Sequence, residues 1–214
     1  VLVLRNANIV TCNGSPDDPL GQISPGAIGI AGDRIAFVGS DHEVPPTATR
    51  EIDLEGRMVT PGLVDCHTHA IFAGERSSEM AMRAAGKTYR EIAAAGGGIV
   101  ATTNHTRNAG WDELRQQTEH RLWLAQRGGT TTIEVKSGYD LTVDGELRLL
   151  RIVAELAGER RQTVVPTLLC HVVPVERARD RAAYVDELVN SLVPAVAVDK
   201  LAAAVDVYCD EGAF

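Results

Sequence analysis

Two rhythms of apolar and polar residues run along the chain, and the change falls near residue 60. Before it, short apolar runs are separated by turn residues. Val1–Val10 is apolar apart from Arg5-Asn6, and Glu51–Leu54 alternates charged and aliphatic residues at period two, the repeat of a strand with one covered face. Ala27–Ile30 and Arg34–Val38 flank Ala31-Gly32-Asp33, a hairpin signal because Gly accepts positive φ and Asp bonds its own turn. Ser15–Leu20 and Val44–Ala48 carry Pro and polar residues and read as loops. After Thr60, near-continuous apolar runs (Leu63–Cys66, Thr130–Val135, Val164–Val173, Val205–Cys209) alternate with helical stripes. Trp111, Leu114, Thr118, Leu122 and Ala125 line one helix face, stopped by Gly128-Gly129. Leu147, Leu150, Ala154 and Ala157 line a second, with Asp144 as N-cap and Gly158 as stop. Val185, Leu188 and Leu192 line a third, ending near Pro194.

Apolar strands alternating with helices mean a parallel sheet covered on both faces. The expected fold class is therefore α/β. Residues 1–59 form a small β domain, and 60–214 hold about four βα units. A closed (β/α)8 barrel takes about 250 residues. Four units make either an open four-stranded sheet or the first half of a TIM-type barrel, and periodicity leaves both open.

Charge narrows the partners. The 214 residues carry 21 Lys+Arg against 29 Asp+Glu, a formal charge of −8, which excludes the basic face of a nucleic-acid binder. No basic amphipathic stretch suits an anionic membrane and no apolar run approaches ~20 residues. The start, Val1-Leu2-Val3-Leu4-Arg5-Asn6, lacks the basic start and long apolar core of a signal peptide. It also lacks an initiator Met, so a processed or trimmed start is expected. Cys12, Cys66, Cys170 and Cys209 are too far apart for a CxxC pair, and three of them lie in apolar runs. They read as buried free thiols of a cytoplasmic protein.

The strongest chemical signal is Val64-Asp65-Cys66-His67-Thr68-His69. Residues i and i+2 of a strand share a face, so His67 and His69 would aim two imidazoles at one point, as a divalent metal needs. A bare HxH also arises by chance on surfaces, but its place at the end of a buried parallel strand favours a site. The other apolar runs end in Lys136-Ser137-Gly138-Tyr139, Cys170-His171 and Asp210-Glu211, so four strand ends would share one polar rim. Taken singly, each has a plainer reading, since loops are polar and a lone His171 is more often a satisfied, partly buried histidine. Arg76, seven residues after His69, could hold a substrate carboxylate or simply be solvated. Gly96-Gly97-Gly98 lacks the Lys-Ser/Thr and preceding strand of a P-loop and reads as a mobile loop over the site. His42, His105 and His120 have no partners at ligand spacing and read as surface residues. No Gly-x-Ser-x-Gly elbow supports a serine hydrolase.

Val59-Thr60-Pro61-Gly62-Leu63-Val64-Asp65-Cys66-His67-Thr68-His69 after a small β domain resembles the amidohydrolase superfamily. Phe72-Ala73-Gly74-Glu75-Arg76, Gly96–Ile99, Glu134–Tyr139, Cys170-His171-Val172-Val173-Pro174 and Asp206–Phe214 narrow the resemblance to its imidazolonepropionase family. That resemblance implies the first half of a (β/α)8 barrel preceded by part of a small β-sandwich domain. It implies hydrolysis of the cyclic amide 4-imidazolone-5-propanoate to N-formimidoyl-L-glutamate with one Zn or Fe ion. It matches His67 and His69 to metal ligands, Arg76, Tyr139 and Tyr89 to substrate contacts, and His171 to a substrate contact that also serves catalysis as a hydrogen-bond donor. Asp140 stands where the family pattern has Gly. The family's remaining ligands, a His after the fifth barrel strand and an Asp after the eighth, have no counterpart before Phe214. The chain therefore reads as an N-terminal half, with a small-molecule substrate and a homo-oligomer, a dimer, when full length. Two other readings stay open: another amidohydrolase or deaminase, and a non-catalytic half-length chain needing a partner to complete its metal site. As an open half barrel it would expose apolar edges at its first and fourth strands and associate.

Overall fold

The computed structural model describes residues 1–46, 49–88, 91–92 and 95–210. The chain divides into two compact units, Val1–Gly62 and Leu63–Phe214.

The first unit is a five-stranded sheet. β1 (Leu2–Val10), β2 (Gln22–Ala31), β3 (Arg34–Ser40) and β4 (Arg50–Asp53) lie in the order β3-β2-β1-β4, and β5 (Met58–Val59) also pairs with β1. β1 and β2 run antiparallel with Leu2 opposite Ile30, whereas β4 and β5 run parallel to β1. The β2–β3 hairpin turns at Gly32-Asp33, where Gly32 has φ +62, the left-handed conformation that a residue without Cβ adopts cheaply. Ala7, Ile9 and Ile28 form its small core.

The second unit is built on four parallel strands in sequential order, β6 (Leu63–Asp65), β7 (Thr130–Lys136), β8 (Thr163–Cys170) and β9 (Ala204–Val207). Between β6 and β7 lie α1 (Ser77–Ala84), α2 (Gly98–Asn108) and α3 (Trp111–Arg127), and α4 (Val143–Glu159) joins β7 to β8. The β8–β9 connection holds α5 (Arg181–Glu187), a π-helical turn over Leu188–Leu192, and α6 (Val193–Val198). This is the first half of a (β/α)8 barrel.

The amphipathic stripe of α4 explains how the helical layer adheres. Leu149, Ile152, Val153 and Leu156 join a core with Leu114 and Leu122 of α3 and Ile133 and Val135 of β7. Leu147 and Leu150 join a second core with Leu168 and Cys170 of β8 and Tyr184, Leu188 and Leu192. Leu149, Leu150, Ile152 and Leu156 are fully buried, each contributing roughly 1.5–3 kcal/mol of burial free energy.

Several local expectations fail for identifiable reasons. The N-cap of α4 is Thr142, whose side chain accepts from Gly145 N at 3.1 Å, so Asp144 falls in the first turn instead. Gly158 does not stop α4, which runs on to Glu159. Pro194 does not end the third helical stripe: the helix runs unbroken from Arg181 to Val198, and the π turn over Leu188–Leu192 directly precedes the proline. The preceding π turn widens the helix, so the buried line is Tyr184, Leu188, Leu192 and Val196 at spacing four, and Val185 is exposed. The apolar runs after β8 and β9 outlast the strands, which end at Cys170 and Val207. Gly98 opens α2, and its N–H is bonded to Glu79 Oε1 at 2.6 Å, so the glycine run is anchored at its end. The thiols also differ from expectation. Only Cys170 is buried, while Cys12, Cys66 and Cys209 are exposed, the last two because they follow strands that are themselves exposed. Leu63 and Val64 of β6 are 57% and 66% exposed, and Val205 and Val207 of β9 are 49% and 53%. The two outer strands of this sheet therefore present the open apolar residues expected of them.

Candidate active site

Alternation along β7 sorts its side chains. Ile133 and Val135 face the helices, so Glu134 and Lys136 face the opposite side of the sheet. There Lys136 Nζ bridges Glu134 Oε1 at 3.0 Å and Asp206 Oδ2 of β9 at 2.9 Å, and the Thr167 hydroxyl of β8 donates to Glu134 Oε1 at 2.7 Å. This polar layer went unrecognised in the sequence. Glu134 and Asp206 look like ordinary strand polars, and only alternation against the buried valine and isoleucine could have flagged them.

His67 and His69 lie just past the end of β6 rather than on it. The backbone nevertheless stays alongside β7, because Lys136 N donates to Thr68 O at 3.0 Å and the Thr68 hydroxyl donates to Glu134 O at 2.5 Å. Extended geometry therefore persists through Thr68, and the two imidazoles meet with ring centroids 5.6 Å apart. His69 stacks on His171 at 5.4 Å and lies 5.1 Å from Tyr139. Tyr139 and His171 are 5.4 Å apart, and His171 meets Tyr208 at 6.1 Å. The C-terminal ends of all four strands thus contribute to one cluster of rings. Tyr208, beyond β9, is the contributor that sequence reading passed over in favour of Asp210-Glu211. Asp210 is exposed and accepts from Tyr208 OH at 3.3 Å, while Glu211 lies outside the described residues.

Burial, then the neighbouring His171 and His67, holds the His69 pKa down at about 4, so its ring is neutral at pH 7 and carries an available lone pair. Its Nδ1 is buried without a hydrogen-bond partner among the described residues. Leaving such a nitrogen unsatisfied is costly, and a metal ion would satisfy it. His67 and His69 therefore fit two positions of a metal site, while among the described residues no group of three or more His, Cys, Asp or Glu side chains is placed to hold one.

His171 Nδ1 is 3.1 Å from Gly138 O. A carbonyl only accepts, so Nδ1 carries the proton and Nε2 of the neutral ring is an acceptor. Burial lowers the His171 pKa, which favours that neutral form. Burial raises the Tyr139 pKa, keeping the phenol protonated and able to donate.

Arg76 is half-buried and forms a bidentate pair with Glu79, Nε to Oε1 and Nη2 to Oε2, both at 2.7 Å. Arg76, Glu79, Arg83, His105 and Tyr139 line a cavity of about 520 Å³. Tyr139 belongs both to this cavity and to the ring cluster, and so connects Arg76 to the histidines. The segment between them is held by Arg121, which donates to Ala70 O at 2.9 Å and Phe72 O at 2.7 Å and lies 3.7 Å over the Phe72 ring. His42, His105 and His120 are exposed, as expected. Tyr89 lies outside the described residues.

A family model for the amidohydrolases matches residues 50–131. Imidazolonepropionase of Anaeromyxobacter dehalogenans (strain 2CP-1) is 47% identical over 219 residues, covering 100% of this chain and 52% of that protein. The imidazolonepropionases of Mesorhizobium japonicum and Brucella anthropi are 44% and 42% identical, each over 99% of this chain and 53% of their own length. The chain therefore spans about half the length of the curated relatives it matches. Among solved structures, guanine deaminase from C. acetobutylicum superposes with a TM-score of 0.61 at 12% identity, over 99% of this chain and 47% of that one. 5-Methylcytosine deaminase from Klebsiella pneumoniae superposes with a TM-score of 0.60 at 14% identity, over 98% and 51%. At such identities these two establish the fold alone. Sequence similarity along its whole length and the parallel half barrel together place the chain in the amidohydrolase family, in the neighbourhood of the imidazolonepropionases.

Proposed function

We propose that this chain carries the part of an imidazolonepropionase that binds the substrate and begins the metal site, in the hydrolysis of 4-imidazolone-5-propanoate to N-formimidoyl-L-glutamate. The observation that supports it most is identity of 42–47% with imidazolonepropionases over at least 99% of the chain. In the reaction, water oxygen adds to the ring carbonyl carbon and the adjacent C–N bond breaks. The oxygen ends in the new carboxylate, and the freed nitrogen takes a proton.

His67 and His69 would hold one Zn or Fe ion, which supplies Lewis acidity and an activated water near neutral pH. Arg76 orients the propionate. A guanidinium binds carboxylates along two edges. Glu79 occupies the Nε/Nη2 edge and holds the guanidinium at the cavity it lines, where the substrate carboxylate would meet it. Tyr139 donates its phenol proton within a hydrogen bond to substrate, and Tyr89 takes a second tyrosine position near the propionate. His171 accepts from a substrate ring N–H through Nε2, or donates to the oxygen that gains charge once its ring is protonated. The full-length protein is proposed to be a cytoplasmic homodimer. Among the described residues no helix is long and apolar enough to cross a membrane.

The test uses the full-length polypeptide loaded with Zn or Fe. Loss of imidazolone absorbance with formation of N-formimidoyl-glutamate is expected. Release of ammonia instead, or no turnover with either metal, overturns the proposal.

A further inference from the structure

Glu146 is 2% exposed, in the first turn of α4, and its carboxylate turns back toward the loop that precedes the helix. Oε2 accepts from Gly138 N at 2.7 Å, and Oε1 accepts from Asp140 N and Leu141 N, both at 2.8 Å. Three backbone donors thus converge on one buried carboxylate from the four consecutive residues 138–141, and Tyr139 lies among them.

This loop does not hold its shape by intrinsic preference. Gly138 has φ +102 and Leu141 has φ +65, and a left-handed leucine is disfavoured because its Cβ crowds the following carbonyl oxygen. Such a conformation persists only when its surroundings over-determine it, and the Glu146 bonds do so. Gly138 is also where the loop closes on β8. A Cβ there would lie 2.9 Å from Leu169 O and 3.1 Å from His171 Cβ. The Gly138 N–H is held by Glu146 while its carbonyl receives His171 Nδ1 at 3.1 Å. One peptide segment therefore connects the carboxylate to both rings.

We propose that Glu146 is the positioning residue for Tyr139 and His171: its carboxylate fixes the 137–141 loop, which aims the Tyr139 phenol and, through the Gly138 carbonyl, sets the orientation and tautomer of the His171 ring. The catalytic meaning of this rests on the reading of Tyr139 and His171 as substrate contacts; the structural meaning does not. In Glu146→Gln the amide NH2 must face at least one backbone N–H, so a bond is lost with side-chain volume unchanged.

The experiment compares full-length, metal-loaded wild type with Glu146→Gln in steady-state kinetics and by 15N NMR of the histidine imidazoles. The expected result is a KM for imidazolonepropionate raised at least tenfold, kcat within about threefold of wild type, and a His171 signal shifted away from the Nδ1–H tautomer. A lowered melting temperature with KM and the His171 signal unchanged overturns the proposal, because Glu146 would then be only a structural group. If wild type does not open imidazolonepropionate, the functional reading fails by itself. The His171 signal alone then decides on Glu146: a shift supports the positioning role, and identical signals overturn it. If Glu146→Gln does not fold, Glu146→Asp keeps the charge and withdraws the carboxylate from the three N–H groups by one methylene. A KM raised at least threefold supports the proposal, and an unchanged KM overturns it.

Discussion

The carboxyl group of Asp140 fills the space that a side chain at position 145 would need, so that a Cβ on Gly145 would overlap its carbon and both oxygens. Asp140 is held there by Arg148 Nη2 at 3.1 Å and the Thr142 hydroxyl at 2.5 Å, and its own carbonyl accepts from Arg107 Nε at 2.6 Å. Asp140 and Gly145 are therefore one feature. Gly145→Ala is expected to destabilise the protein by about 1–3 kcal/mol, the usual cost of overpacking. In the Asp140→Ala background the same change should cost much less. A double-mutant cycle from urea unfolding measures the coupling, and additive effects would show that the two positions are independent.

The Arg76–Glu79 pair makes stability depend on acid. The Arg76 guanidinium, then the Gly98 N–H, holds the Glu79 pKa down at about 2. A carboxylate whose folded pKa lies below its ordinary value of 4.5 contributes stability that is complete above that value and lost as pH falls toward 2. Glu79→Gln should therefore flatten the fall in melting temperature between pH 4.5 and pH 2. A variant whose acid limb parallels wild type would remove Glu79 from this role.

Metal retention should follow the two histidines. His67→Ala and His69→Ala are each expected to lower metal content well below the stoichiometry of full-length wild type after dialysis, read by elemental analysis. His120→Ala, at an exposed position stacked on Trp123, should retain it. Equal metal content in all three variants would place the ion elsewhere.

Arg121 tests the support of the segment after the histidines. Lysine keeps the charge but loses the planar fork that reaches two carbonyls and covers Phe72. Arg121→Lys should cost roughly 1.5–3 kcal/mol, the scale of hydrogen bonds to a charged group. It should also disturb Tyr139, whose ring lies 6.0 Å from Phe72. Thermal unfolding and tyrosine ring NMR signals check both parts, and a neutral substitution would count against them.

Local pattern revealed what local forces decide. The α3 stripe from Leu114 to Leu122 and the glycine stop after Arg127 were readable because periodicity and capping act within a few residues. The convergence of His67 with His69 was readable because strand alternation spans only two. Long-range competition was not readable. Thr142 caps α4 in place of Asp144, and the Asp140 that it bonds is itself held by Arg107 from 33 residues away. Helix α2 was hidden because Thr102, Thr103 and Thr106, not aliphatic residues, form much of its buried face. Glu79 and Glu146 resembled solvated helix acids, and only tertiary contact shows what each one holds.

The bridge from Lys136 to Asp206 carries a last consequence. It passes over β8, joining strands that are not hydrogen-bonded neighbours, and its lysine is only 5% exposed. Slipping β9 by one residue would turn Asp206 toward the helices and bring Val205 or Val207 beneath the ammonium. A buried cation deprived of one carboxylate is heavily penalised. The pair thus proofreads strand alignment, since Val205 and Val207 are half exposed and bury too little to fix the register of β9 by themselves.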